Sequence, residues 1–160
     1  MKISYAIPVC NEFIEIQRLI SFILSNKREE DEVAVLYDSN NGDREVEVYL
    51  RKMNIDSTSF LWKSYDFKGN FADMKNSLNN MCSGDYIFQI DADEMPNEYM
   101  MKIIPQMLEL NKGVDLMRVP RINRVEGLTE AHIQKWGWNV DDKGRVNWPD
   151  MQWRIYRNDP

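Results

Sequence analysis

The stretch YIFQIDADEMP, Tyr86 to Pro96, places Asp91, Asp93 and Glu94 directly after an apolar run of strand character. No Lys or Arg lies within seven residues of these three carboxylates on either side, so local sequence supplies no neutralising cation. Residues two apart in an extended chain point to the same side, which sets Asp91 and Asp93 in one another's field. Like charges repel at that spacing unless a cation lies between or beside them. Oxygen-only ligands of this kind select hard divalent ions, Mg2+ or Mn2+, over zinc. A metal held by one or two carboxylates keeps open positions that phosphate oxygens can fill.

Other chemistries fit less well. An EF-hand loop counted from Asp91 requires Gly at its sixth position and Glu at its twelfth, where this chain has Pro96 and Lys102. A Mg2+-dependent phosphatase of the haloacid dehalogenase type also carries Asp-x-Asp after a strand. That motif usually lies near the N-terminus and continues with Thr or Val, whereas Met95 stands at the fifth position here. Solvated loop acids are the bland alternative. Cys10 lacks the pattern of an activated nucleophile, since His132 is the sole histidine and stands far from it in sequence.

The elements that must position these acids follow from apolar periodicity. Short apolar runs at Ile3 to Val9, Glu32 to Tyr37, Ser59 to Lys63, Tyr86 to Ile90 and Leu116 to Pro120 read as strands. Between them, Phe13 to Leu24, Arg44 to Met53, Asn70 to about Met81 and Asn97 to Leu110 carry helical spacing. Strands alternating with helices predict βαβ units and a mainly parallel sheet covered on both faces. From Ile122 to Pro149 the pattern loses its period, and Met151 to Tyr156 resumes strand character. In an open parallel sheet ligands bind beyond the carboxyl ends of the strands. The polar clusters PVCNE, DSNNGD and DADEMP each follow a strand and so converge on one edge.

Composition narrows the partners. At 160 residues one domain is expected, and the formal charge of −6 argues against bulk electrostatic binding to nucleic acid or an anionic membrane. No run approaches the length of a transmembrane helix, and Cys10 and Cys82 are too few for a disulfide framework, so a cytoplasmic setting is expected.

Three segments together, ISYAIPVCNEFIEIQRLISFIL, VAVLYDSNNGD and FADMKNSLNNMCSGDYIFQIDADEMP, resemble family 2 glycosyltransferases of the GT-A fold, in their DADE branch. The likeness covers roughly residues 1–100 in the family's order. It implies a three-layer α/β/α sandwich, with residues 1–100 as the nucleotide-sugar half and 101–160 as a short or incomplete acceptor side. It further implies that Pro8, Asn11 and Glu12 line the nucleoside pocket and that Asp38 recognises base or ribose. Lys75, in place of the family's frequent Arg, would face the diphosphate. Asp91 would serve ribose and metal, Asp93 the metal, and Glu94 has no fixed role.

The activity so implied is metal-dependent, inverting transfer of a sugar from a nucleotide-sugar donor, with UDP-sugar favoured, to a glycan, lipid or protein acceptor. Mn2+ or Mg2+ would be the cofactor. Asp150, in NWPDMQWRIYRN, is the candidate general base, and Trp136, Trp138, Trp153 and Arg154 are candidate acceptor contacts. A donor-binding domain without turnover is the rival from another class, and the phosphatase is the more distant one.

Overall fold

The computed structural model describes residues 1–53 and 59–159. Among the described residues six strands and five helices alternate. They are β1 (Ile3–Val9), α1 (Phe13–Asn26), β2 (Glu32–Asp38), α2 (Arg44–Met53), β3 (Phe60–Tyr65) and α3 (Phe71–Asn79). β4 (Tyr86–Gln89), α4 (Glu98–Leu110), β5 (Leu116–Asn123), α5 (Glu130–Trp136) and β6 (Val146–Arg157) complete them. One sheet runs in the order β3-β2-β1-β4-β6-β5. β3, β2, β1 and β4 are parallel, and β6 and β5 join antiparallel.

The period-two alternation of the central strands assigns residues to the two faces. Tyr5, Ile7, Val33, Val35 and Phe88 face a layer that includes α1, α2 and α4. Ala6, Ala34, Leu36 and Ile87 face α3, which contributes Met74 and Leu78. α1 lays down Ile16, Leu19, Ile20 and Ile23 as a fully buried stripe. The expected three-layer α/β/α arrangement is therefore present. No helix among the described residues is long and apolar enough to cross a membrane.

The amino-end edge of the sheet is locked by buried acids. Asp31 Oδ1 accepts hydrogen bonds from the Ile3 amide at 2.8 Å and Arg28 Nη2 at 2.7 Å. Glu32 accepts from Lys2, from the Ser4 hydroxyl at 2.6 Å and from both the amide and hydroxyl of Ser83. Burial opposes its charge, but these donors outweigh that and hold the carboxyl at about 2, below its ordinary 4.5. A depressed native pKa stabilises the fold above the unfolded value, and the benefit is lost as pH falls through the native one. We therefore expect Glu32→Gln to cost roughly 3 kcal/mol at pH 7 in urea unfolding. The gap to wild type should close between about pH 4.5 and 2; a pH-independent gap would contradict this reading.

The final third departs from the sequence reading in length and content. β5 and β6 extend well beyond the runs Leu116 to Pro120 and Met151 to Tyr156. α5 forms inside the segment without a period because it buries no residue and needs no apolar stripe. Its boundaries are set locally: the Thr129 hydroxyl caps it through the His132 amide, and Gly137 closes it at φ 62°.

Candidate functional site

The turns after β1, β2 and β4 all emerge at one edge, as the parallel register requires. After β2, Asp38 is buried and its carboxylate organises the DSNNGD turn. Oδ1 accepts from the amides of Asn40 at 2.9 Å and Asn41 at 3.2 Å, and Oδ2 from Asn41 Nδ2 at 2.9 Å. Burial raises its pKa, but the bonds from Asn41 and Asn40 win and leave it below the ordinary carboxylate value. The turn then presses against the β1 loop. A Cβ at Gly42 would lie 2.3 Å from the Asp38 carbonyl oxygen and 2.8 Å from that of Cys10, so only glycine fits.

The β1 loop is braced from within. Glu12 Oε2 accepts from the amides of Cys10 at 2.9 Å and Asn11 at 3.1 Å. Asn11 is exposed and Pro8 half-buried. Burial and the neighbouring Asp38 push the Cys10 thiol up, so it stays protonated and points at Asp38 Oδ2 at 3.8 Å. That is the opposite of an activated nucleophile.

Beyond β4, the acidic turn finds its missing cations across the sheet, on β5 and β6. Met117 pairs with Ile155 but Arg118 with Trp153, so Arg154 is the extra residue of a β-bulge. Bulges re-aim side chains, and this one turns Arg154 inward, where it is 8% exposed. Its Nη2 lies 2.8 Å from Asp91 Oδ2 and also bonds Glu94 Oε1. Arg121 on β5 reaches the same Glu94 oxygen at 3.4 Å and Asp150 Oδ2 at 2.8 Å. Glu94 Oε2 accepts from the Asp91 amide at 3.3 Å. A continuous charged chain thus runs Asp91, Arg154, Glu94, Arg121, Asp150. Asp93 stands apart, exposed and with no hydrogen bond or ion pair among the described residues.

Asp150 is heavily bonded. Besides Arg121, Oδ2 accepts from Asn123 Nδ2 at 2.8 Å and Oδ1 from Gln152 Nε2 at 2.5 Å. The Asn123 bond, partly offset by burial and reinforced by Arg121 and Gln152, holds its pKa below the ordinary value. A cleft of about 580 Å³ opens beside this network, lined by Asp93, Glu94, Met100, Arg121, Gln152 and Arg154 among others.

The residues expected from sequence do not all fall together. Asp91, Glu94, Asp150 and Arg154 are brought together, with Asp93 on the same turn; Pro8, Asn11, Glu12 and Asp38 form the neighbouring loops. Lys75 is exposed on α3 and has no polar partner among the described residues. The tryptophans gather elsewhere: Trp136 stacks on His132 at 5.0 Å and tilts against Trp138 at 4.8 Å. Trp153 is 59% exposed, with the Arg118 guanidinium 5.1 Å from its ring centre. Sequence reading missed Arg121, Asn123 and Gln152, whose roles arise from pairing β5 with β6 rather than from any local motif.

The profile of glycosyl transferase family 2 matches residues 4–156, and the chain belongs to that family. A comparison with curated proteins finds no match. Among solved structures, the chain resembles S. aureus TarS (residues 1–349) at TM-score 0.65 and 17% identity, covering 99% of this chain and 47% of that one. The same TarS fragment in complex with UDP-GlcNAc gives the same score and identity, at 99% and 46% coverage. The mannosyltransferase PcManGT from Pyrobaculum calidifontis, in complex with GDP-Man and Mn2+, is similar at TM-score 0.63 and 17% identity, over 74% and 35%. The chain thus spans less than half the length of these structures. Their shared architecture is the GT-A fold.

Proposed function

We propose that the chain binds a nucleoside-diphosphate sugar at this edge and transfers the sugar to an acceptor hydroxyl with inversion. The observation that carries the reading is the placement of Asp93, a carboxylate without a partner among the described residues, on the turn after β4, at the same sheet edge as the Asp38 turn with the β1 loop between them. Family membership and neighbours crystallised with UDP-GlcNAc and with GDP-Man and Mn2+ support it.

Asp38 and the loop from Pro8 to Glu12 would receive the nucleoside, with uridine the first candidate. Among the described residues no group of three or more His, Cys, Asp or Glu is arranged to cage a metal. That fits Mg2+ or Mn2+, which are commonly held by one or two carboxylates with substrate phosphates completing the shell. Asp93 and Asp91 Oδ1, which has no partner among the described residues, would be the oxygens that hold it. A divalent ion there would offset the charge that develops on the departing diphosphate. Asp150 would take the acceptor proton, ionised throughout because Asn123 and Arg121 depress its pKa.

One feature favours a second reading, a donor-binding module without turnover: Asp150 accepts from three side chains, which weakens it as a base. A thermal-shift screen of nucleotide sugars with and without Mn2+ tests the proposal, since a ligand of the native state raises the melting temperature. We expect a shift with one nucleoside-diphosphate sugar that depends on the metal. No shift with any donor at millimolar concentration would refute it.

A further inference from the structure

We propose that Arg154 is the resident counter-cation of the acidic turn and makes divalent-metal binding contingent on a diphosphate. The inference rests on the glycosyltransferase reading and adds a residue that decides the order of binding. Arg154 is inside the site by construction, since the β6 bulge turns it inward and its side chain is 10% exposed. Its guanidinium lies 2.8 Å from Asp91 Oδ2 and also bonds Glu94. Asp93 lines the same cleft as Arg154, together with Glu94, Arg121 and Arg124, and Arg121 ties Glu94 to Asp150.

A cation arriving at Asp91 and Asp93 alone meets the guanidinium already bonded to Asp91, and like charges in a partly dry site repel strongly. A diphosphate changes the balance. Guanidinium bonds phosphate oxygens with the same planar geometry that it offers carboxylates, so Arg154 can move from Asp91 to the incoming anion. Asp91 is then free for the metal. Glu94 keeps the turn folded during the exchange, because it retains Arg121 at 3.4 Å and the Asp91 amide at 3.3 Å.

The test is a titration of the full chain with manganese chloride, counting free Mn2+ by electron paramagnetic resonance, alone and with UDP or GDP. Each titration is corrected by a protein-free nucleotide control. We expect wild type to bind Mn2+ at least about tenfold more tightly with nucleotide than without. Arg154→Met should bind Mn2+ alone about tenfold more tightly than wild type and lose most of the nucleotide dependence. Arg154→Lys, which keeps the charge, should stay close to wild type. A Met variant with no gain, or a Lys variant gaining as much as Met, overturns the role of Arg154. If Arg154→Met does not fold, as its circular dichroism would show, the wild-type comparison decides alone. Wild type that binds Mn2+ tightly without nucleotide overturns this proposal and leaves the metal-dependent reading standing. Wild type that binds Mn2+ in neither condition overturns both.

Discussion

Asp93→Ala should lose metal-dependent donor binding while keeping its fold. The side chain is exposed and makes no hydrogen bond or ion pair among the described residues, so its removal should change stability by less than about 0.5 kcal/mol. Donor affinity measured calorimetrically with Mn2+ should fall by about 100-fold, towards the value seen without metal, as loss of a metal-site oxygen commonly does. Asp91→Asn makes an instructive contrast. It weakens the partner of the nearly buried Arg154, so it should lower both donor affinity and melting temperature. An Asp93→Ala protein that binds donor and metal as wild type does would remove Asp93 from the site.

Asp150→Asn should reduce kcat for transfer by 10²- to 10⁴-fold, roughly the range of a positioned general base, and leave donor affinity unchanged. The carboxylate sits on the Arg121 branch of the network and not on the Asp91 turn, so donor contacts survive the substitution. The native pKa of Asp150 is depressed by Asn123, Arg121 and Gln152, so the basic form persists as pH falls through the usual carboxylate range. The transfer rate should accordingly hold level from pH 8 down to about pH 5 as far as this group is concerned. Full activity in the Asn variant would place proton removal on another residue, and would also remove the reason for the Arg121 clamp to matter in catalysis.

The parts of this molecule that were legible in its sequence are those governed by short-range rules. The strands Ile3–Val9 and Glu32–Asp38 are buried on both faces, and such strands read as continuous apolar runs. The Asn70 cap is legible too, and its side chain accepts from the amides of Ala72 and Asp73, whereas Asn97, read as the first residue of its helix, caps it through the Met100 amide. The order of elements by itself places the turns holding Asp38 and Asp91 on one edge.

What stayed hidden depends on contacts between distant segments. The charge crowding of DADE looked unanswered because its cations come from Arg121 and Arg154, 27 and 60 positions beyond Glu94. No spacing rule signals a bulge that turns Arg154 inward, and the register shift that makes it is a property of the β5–β6 pair. Trp153, next to Arg154 in sequence, is 59% exposed where Arg154 is 8% exposed, a difference that the bulge between them creates and that no local motif signals. Glu94, whose role the sequence leaves open, links the Asp91 backbone amide to both arginines.

The most direct test of the central claim is a crystal structure grown with Mn2+ and UDP, read by anomalous scattering at the manganese edge. The account predicts one strong peak within about 2.2 Å of an Asp93 oxygen and of the diphosphate, with the base beside Asp38. A nucleotide bound away from the β4 turn, or bound there with no manganese near Asp93, would contradict it.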